Sequence, residues 1–197
     1  FFAGGSGPNR LYLQSDEIRF EDVTDSAGVG GGDHWGTGTA LADIDNDGDL
    51  DIYVCNYEAP NQLFINQTPS GSRDVKFEER ASEFGIDLVD ASLMPSFADV
   101  DNDGDLDLYL LTNAFISEDG HPKDGVIQVD GKVMMKEEHR KYYALRFAGI
   151  SGGMQRNEIY PVGQTDKLFR NDAGRKFIDI SKTSGDIGKD PGKGLSA

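Results

Sequence analysis

Residues 42–53 read Ala42-Asp43-Ile44-Asp45-Asn46-Asp47-Gly48-Asp49-Leu50-Asp51-Ile52-Tyr53. The chain repeats them 56 residues later, Asp43 to Asp99, as Ala98-Asp99-Val100-Asp101-Asn102-Asp103-Gly104-Asp105-Leu106-Asp107-Leu108-Tyr109. Each copy sets carboxylates at positions 1, 3, 5, 7 and 9 around a glycine at position 6. Carboxylates so closely spaced repel one another, so the loop is costly to form unless a cation supplies countercharge. The ligands on offer are all hard oxygens. Zinc favours nitrogen and sulfur and magnesium a tight octahedron, whereas calcium takes roughly six to eight oxygens in flexible geometry. Two calcium sites are therefore expected, one from Asp43, Asp45, Asp47, Asp49 and Asp51, the other from Asp99, Asp101, Asp103, Asp105 and Asp107. By analogy with other Asp-x-Asp-x-Asp-Gly loops, positions 1, 3, 5 and 9 ligate through side chains and position 7 through its main-chain carbonyl. Gly48 and Gly104 allow the sharp turn around the ion.

An EF-hand needs a Glu at position 12 and a helix on either side. Position 12 is Val54 or Leu110, inside the strand-like runs Leu50 to Val54 and Leu106 to Leu111. The loops lead into strands, which excludes that motif. A loop that surrounds its ion with its own carboxylates leaves no open position for substrate, so a structural rather than catalytic ion is expected.

Working outward, a second signature occurs three times: Asn9-Arg10-Leu11-Tyr12-Leu13-Gln14, Asn61-Gln62-Leu63-Phe64-Ile65-Asn66 and Asp166-Lys167-Leu168-Phe169-Arg170-Asn171. Each alternates apolar and polar residues as a half-buried strand does. After a polar turn each is followed by a further strand, at Arg19 to Val23, Lys76 to Glu79 and Lys176 to Ile180. A unit of this length, made of several short strands and Gly-rich turns, suits a four-stranded blade of a β-propeller, which buries its faces only by stacking on neighbours. The expected class is all-β, with blades of four antiparallel strands bearing the calcium loops.

Phe20 and Phe77 are 57 residues apart but Phe77 and Phe177 are 100 apart, so the second unit carries an insertion, placed at about residues 115–163. The expected division is the end of a preceding blade at 1–18, a blade with the first loop at 19–75, a blade with the second loop and the insertion at 76–175, and the start of another blade at 176–197. Closing a propeller takes roughly four to eight blades. Further sequence or partner chains are therefore expected to complete the ring. Within the insertion, the spacing of Met135, His139, Tyr142 and Arg146 predicts a short amphipathic helix over Met134 to Phe147.

Composition agrees with this reading. The chain has 197 residues, 25 of them glycine, and a formal charge of −16 that disfavours nucleic acid and anionic membranes and favours cations. Its single cysteine, Cys55, lies in the apolar run Ile52-Tyr53-Val54-Cys55 and is expected to be a packed strand thiol. No run reaches the roughly 20 apolar residues of a membrane span, and any export signal is expected outside these residues.

The Asp-x-Asp-x-Asp-Gly-x-x-Asp loops at 43–51 and 99–107 resemble, residue by residue, those of the FG-GAP or VCBS repeats of integrin α-subunit propellers and many secreted proteins. With Phe20-Glu21-Asp22-Val23-Thr24, the Asp-Gly-Asp-Leu-Asp-Ile-Tyr-Val run at 47–54 and Asp166 to Asn171, the chain looks most like the cartilage-acidic-protein (ASPIC/UnbV) branch. The resemblance implies a secreted or cell-surface calcium-binding module, non-enzymatic, serving protein or glycan contact, adhesion or assembly. A rival reading is part of a secreted polysaccharide-active, lyase-like enzyme.

Three weaker signals have plainer explanations. Gly149-Ile150-Ser151-Gly152-Gly153 fits the Gly-x-Ser-x-Gly elbow of hydrolases, but His34, His121 and His139 all precede Ser151 and a flexible loop is expected. Trp35, beside His34, is expected to pack, and His139, Tyr142, Tyr143 and Phe147 to lie against the blade. Asn66-Gln67-Thr68 has the form of a glycosylation sequon but is followed by Pro69.

Overall fold

The strand signatures form antiparallel ladders in the computed structural model, which describes residues 1–117, 120, 122–151 and 154–185. The first complete unit is β3 (Trp35–Ala42), β4 (Asp51–Pro60), β5 (Gln62–Asn66) and β6 (Phe77–Glu79), each antiparallel to the next. The second is β7 (Val89–Ala98), β8 (Asp107–Thr112), β13 (Lys167–Asn171) and β14 (Phe177–Asp179), joined to the first where β7 meets β4. Ahead of both stands a two-stranded ribbon, β1 (Tyr12–Asp16) with β2 (Arg19–Asp22), matching the last two strands of a unit. The fold is that of a partial β-propeller of four-stranded blades.

Strand alternation shows why blades must stack. Successive side chains of β4 point to opposite faces. Tyr53 and Cys55 join Leu63 and Ile65 in a core shared with Leu108, Leu110, Phe169 and Phe177 of the second blade. Ile52 and Val54 join Phe64 in a separate core with Ala27 and Val29, against which Leu11 and Val23 pack. A strand buried on both faces is apolar at every position, which explains the unbroken run Ile52 to Cys55. At roughly 1.5–3 kcal/mol per large side chain, these two layers dominate the stability of the blade. Cys55 is fully buried, and burial pushes its thiol pKa up, as a packed strand thiol requires.

The first residue of each repeated signature clips the chain in front of it. Asn9, Asn61 and Asp166 accept main-chain N–H groups from Gly4, Asn56 and Thr112. Strands β2 and β6 each run into a single helical turn, α1 (Thr24–Ala27) and α2 (Ala81–Phe84), ended by Gly28 and Gly85 in the left-handed conformation. Those turns bury Ala27 and Phe84 under their blades.

Between β8 and β13 the chain makes two hairpins, β9 (Val126–Val129) with β10 (Lys132–Met135) and β11 (Tyr143–Ser151) with β12 (Met154–Pro161). A bridge between Ala114 and Gly163 closes the neck. The helix expected over Met134 to Phe147 is not formed. That stretch is the end of β10, one 3-10 turn at Glu137–His139 and the start of β11. Pairing with β9 and β12 satisfies its backbone across the sheet, and this outweighs a short local pattern of helical spacing.

Candidate metal centres

The acidic loops join β3 to β4 and β7 to β8, so each spans the first two strands of its blade. Their backbones match closely. Asn46 and Asn102 both take φ 61°, and Gly48 and Gly104 take φ 96° and 98°, values that favour glycine and asparagine. Asp43 accepts the N–H groups of Asp47 and Gly48 at 3.0 and 3.1 Å, and Asp99 those of Asp103 and Gly104 at 3.2 and 3.1 Å. Asp47 and Asp103 accept from Asp49 and Asp105 in the same way. Each loop therefore winds around its own position-1 carboxylate.

Oxygens of Asp43, Asp45 and Asp47 come within 4.8 Å of one another, as do those of Asp99, Asp101 and Asp107. The remaining residues of the two sets have separate placements. Asp51 is buried and accepts from Ile44 N and Asn66 N at 2.9 and 2.8 Å, so it ties the loop to β5. Asp107 makes the matching pair with Val100 N and Asn171 N at 2.9 and 2.8 Å while also joining its cluster. Asp105 takes the side-chain amide of Asn46 at 2.6 Å, and Asp103 stands outside its cluster. Asp49 presents a buried oxygen, Oδ1, with no partner, and so does Asp45.

Two buried carboxylate oxygens without a donor are the arrangement a cation would complete, since an unpartnered buried charge is otherwise costly. Burial, then the neighbouring Asp47 charge, raises the pKa values of Asp45 and Asp49. Burial also pushes Asp51 up to about 6, against the opposing pull of its two main-chain donors. Asp101 is likewise raised, by desolvation and then by Asp103. Both donor sets are oxygen-only and acidic, and so fit a hard divalent ion.

Sequence reading missed three residues at these loops. The Asn171 side chain, buried at the end of β13, donates to Ile44 O of the first loop at 3.1 Å and to Leu106 O of the second at 3.2 Å, and accepts Gly174 N at 3.0 Å. A Cβ on Gly174 would lie 2.9 Å from the Asp45 Cα. Asn46 reaches across to Asp105. The signal was present in the paired asparagines, Asn66 with Asn171 and Asn46 with Asn102, which recur at the same repeat positions.

Away from the loops, the other candidate sites resolve differently. Residues 149–151 are strand rather than flexible loop, and the next element after Ser151 is strand β12 rather than the helix of a hydrolase elbow. Gly152, Gly153 and His121 lie outside the described residues, as do residues 186–197 at the end of the chain. Trp35 does not pack inside. It remains 53% exposed, tilted on Tyr57 with ring centroids 5.1 Å apart. Tyr143 is buried and Tyr142 and His139 are half-buried. Asn66 of the sequon spends its carbonyl on Thr68 N and donates to Leu50 O.

Blades of this construction, each opened by an Asp-rich loop, define an FG-GAP type of repeat propeller. The family model described as FG-GAP-like repeat matches residues 1–54 and 43–110, over half of the sequence, and the chain belongs to that family. Curated relatives include cartilage acidic protein 1 from Xenopus tropicalis, 32% identical over 113 residues, and from Homo sapiens, 33% identical over 113 residues. The matches cover 56% and 57% of this chain and 16% of each relative. The mouse protein is similar at 33% identity, with 17% of its length covered. No helix among the described residues is long and apolar enough to cross a membrane.

Proposed function

We propose that this chain is part of an extracellular, calcium-stabilised β-propeller that serves protein or glycan contact, adhesion or assembly and carries out no catalysis. The observation that carries the metal assignment is the pair of unpartnered buried oxygens on Asp45 and Asp49 beside the gathered carboxylates of the first loop. Asp43, Asp45 and Asp47, with Asp49 beside them, would hold one ion, and Asp99, Asp101 and Asp107 the other. The ions would supply countercharge and fix loop shape. A polar recess of about 370 Å³ beside Asp47, Asp49, Asn66 and Thr68 leaves room for water to complete the coordination that calcium requires. Resemblance to cartilage acidic protein supports the extracellular setting, and the fold itself names no ligand.

The test is thermal unfolding with calcium and with chelator. At free calcium near 100 times the dissociation constant each site adds about 2.7 kcal/mol. Two sites together shift Tm by roughly 10–20 °C for a chain of this size. A melting curve unmoved by chelator removes the metal from the proposal. Turnover in a screen of acidic polysaccharides removes the non-catalytic reading.

A further inference from the structure

We propose that the two acidic loops load as a coupled pair, a cation in either raising the affinity of the other through the hydrogen bond from Asn46 to Asp105. The inference rests on the metal reading above and concerns how its two sites communicate. Asn46 is position 4 of the first loop, between the ligand candidates Asp45 and Asp47, and its φ of 61° is set by the turn. Its side-chain amide donates at 2.6 Å to Oδ1 of Asp105, position 7 of the second loop. Asp105 contributes no side chain to its own cluster, so its carboxylate is free for this contact. Asn171 holds the two backbones in place for it, with one side-chain nitrogen donating to a carbonyl of each loop.

The direction of coupling follows from ordering. An ion in the second loop fixes the turn around Gly104 and so fixes the Asp105 carboxylate. That carboxylate then anchors Asn46, which places Asp45 and Asp47 before any ion reaches the first loop. Ordering already done by one ligand need not be repeated for the next, which gives positive cooperativity without a change of shape. By linkage the effect is reciprocal. Asn102, the equivalent of Asn46 in the second loop, makes no such contact among the described residues, and so serves as the internal control.

Calcium titration of the full chain, followed by NMR through the Gly48 and Gly104 amides, reports each loop separately. Disabling the second loop with Asp101→Ala, an exposed position, is expected to weaken calcium binding at Gly48 on the order of fivefold, the lower end for coupled sites. Asp45→Ala should weaken the Gly104 site by the same factor. Asn46→Gly keeps the left-handed turn and removes only the amide. In that background Asp101→Ala should no longer affect Gly48, whereas Asn102→Gly should leave the coupling intact. Two ions that load independently in the parent chain, or coupling that survives Asn46→Gly, overturn the inference and leave the metal reading standing. Amides of Gly48 and Gly104 that never respond to calcium overturn the metal reading itself, and the coupling with it.

Discussion

The first and second acidic loops share their sequence pattern and backbone turn yet sit in different surroundings. Ile44 of the first is fully buried while Val100, its counterpart, is 50% exposed. Asp43 and Asp45 are half-buried, whereas Asp101, the counterpart of Asp45, is exposed. The cause lies in the neighbour. The second blade lays Gly174 against the first loop and takes Ile44 into the shared core, whereas Asn171 bonds to both loops. Local sequence therefore dictates how each loop turns, while the adjacent blade decides how far its charges are removed from water and what a missing cation costs.

The largest difference is expected from apolar truncation at the matched positions. Ile44→Ala should destabilise the chain by about 3–4 kcal/mol, because it opens a cavity in the core between blades. Val100→Ala should stay within about 0.5 kcal/mol, as surface changes do. Urea unfolding of both variants in calcium measures the contrast, and equal losses would mean that the two loops are equivalently packed.

Protonation comes next. The Asp51 carboxyl is raised by burial from its ordinary 3.8 to about 6. A carboxyl whose folded pKa is raised adds stability that is fully present below the unfolded value and is lost as pH rises through the folded one. The metal-free chain should therefore lose up to about 3 kcal/mol from this group between pH 4 and pH 7, at 1.36 kcal/mol per pKa unit. Calcium needs ionised ligands nearby and should reverse the trend over the same window. Midpoints of urea unfolding against pH, with chelator and with calcium, give the comparison, and ¹³C titration of the Asp51 carboxyl should show a midpoint near 6. Parallel profiles in the two conditions would detach the first loop from the metal.

Much of this was legible in the chain because repetition is legible. The recurrence of Asp43–Tyr53 as Asp99–Tyr109, and of Asn61–Asn66 as Asp166–Asn171, marks the repeated strands and the acidic loops without tertiary information. The apolar run at Ile52 to Cys55 already marked a packed strand. What escaped was set by partners distant in the chain. Asn171 reaches Ile44 across 127 residues, so nothing near either residue announces the contact. Met135, His139 and Tyr142 have helical spacing, but the strand that pairs with Tyr143 begins eleven residues later and decides the outcome. Trp35, expected to pack, is exposed because it lies at the start of an edge strand, β3.

A third contrast separates the asparagines that end β5 and β13. Asn171 is buried and bonded to both loops, whereas Asn66 is half-buried and donates at 3.3 Å to Leu50 O alone. Asn171→Ala leaves two carbonyls and the Gly174 N–H without their partner and should cost about 2 kcal/mol. Asn66→Ala should cost about 1 kcal/mol, the net value of an ordinary hydrogen bond. Chemical denaturation with chelator present isolates the packing effect from that of the metal.

The smallest contrast is also the most local, and it concerns the turns that follow those strands. Gly71 and Gly174 both have positive φ, 76° and 65°, so alanine strains either backbone by about 1 kcal/mol. Around Gly71 a Cβ meets nothing within 4 Å, but at Gly174 it meets the Asp45 main chain at 2.9 Å. Gly174→Ala must therefore push the second blade's turn away from the first loop, adding about another 1 kcal/mol as overpacking does. The same displacement should weaken calcium at Gly48 directly and at Gly104 only through the coupling between the loops, because the added Cβ at Gly174 meets the main chain of the first loop. If Gly71→Ala and Gly174→Ala prove equal in both stability and calcium response, the neighbouring blade does not hold the first loop, and the asymmetry between the two loops reduces to their exposure.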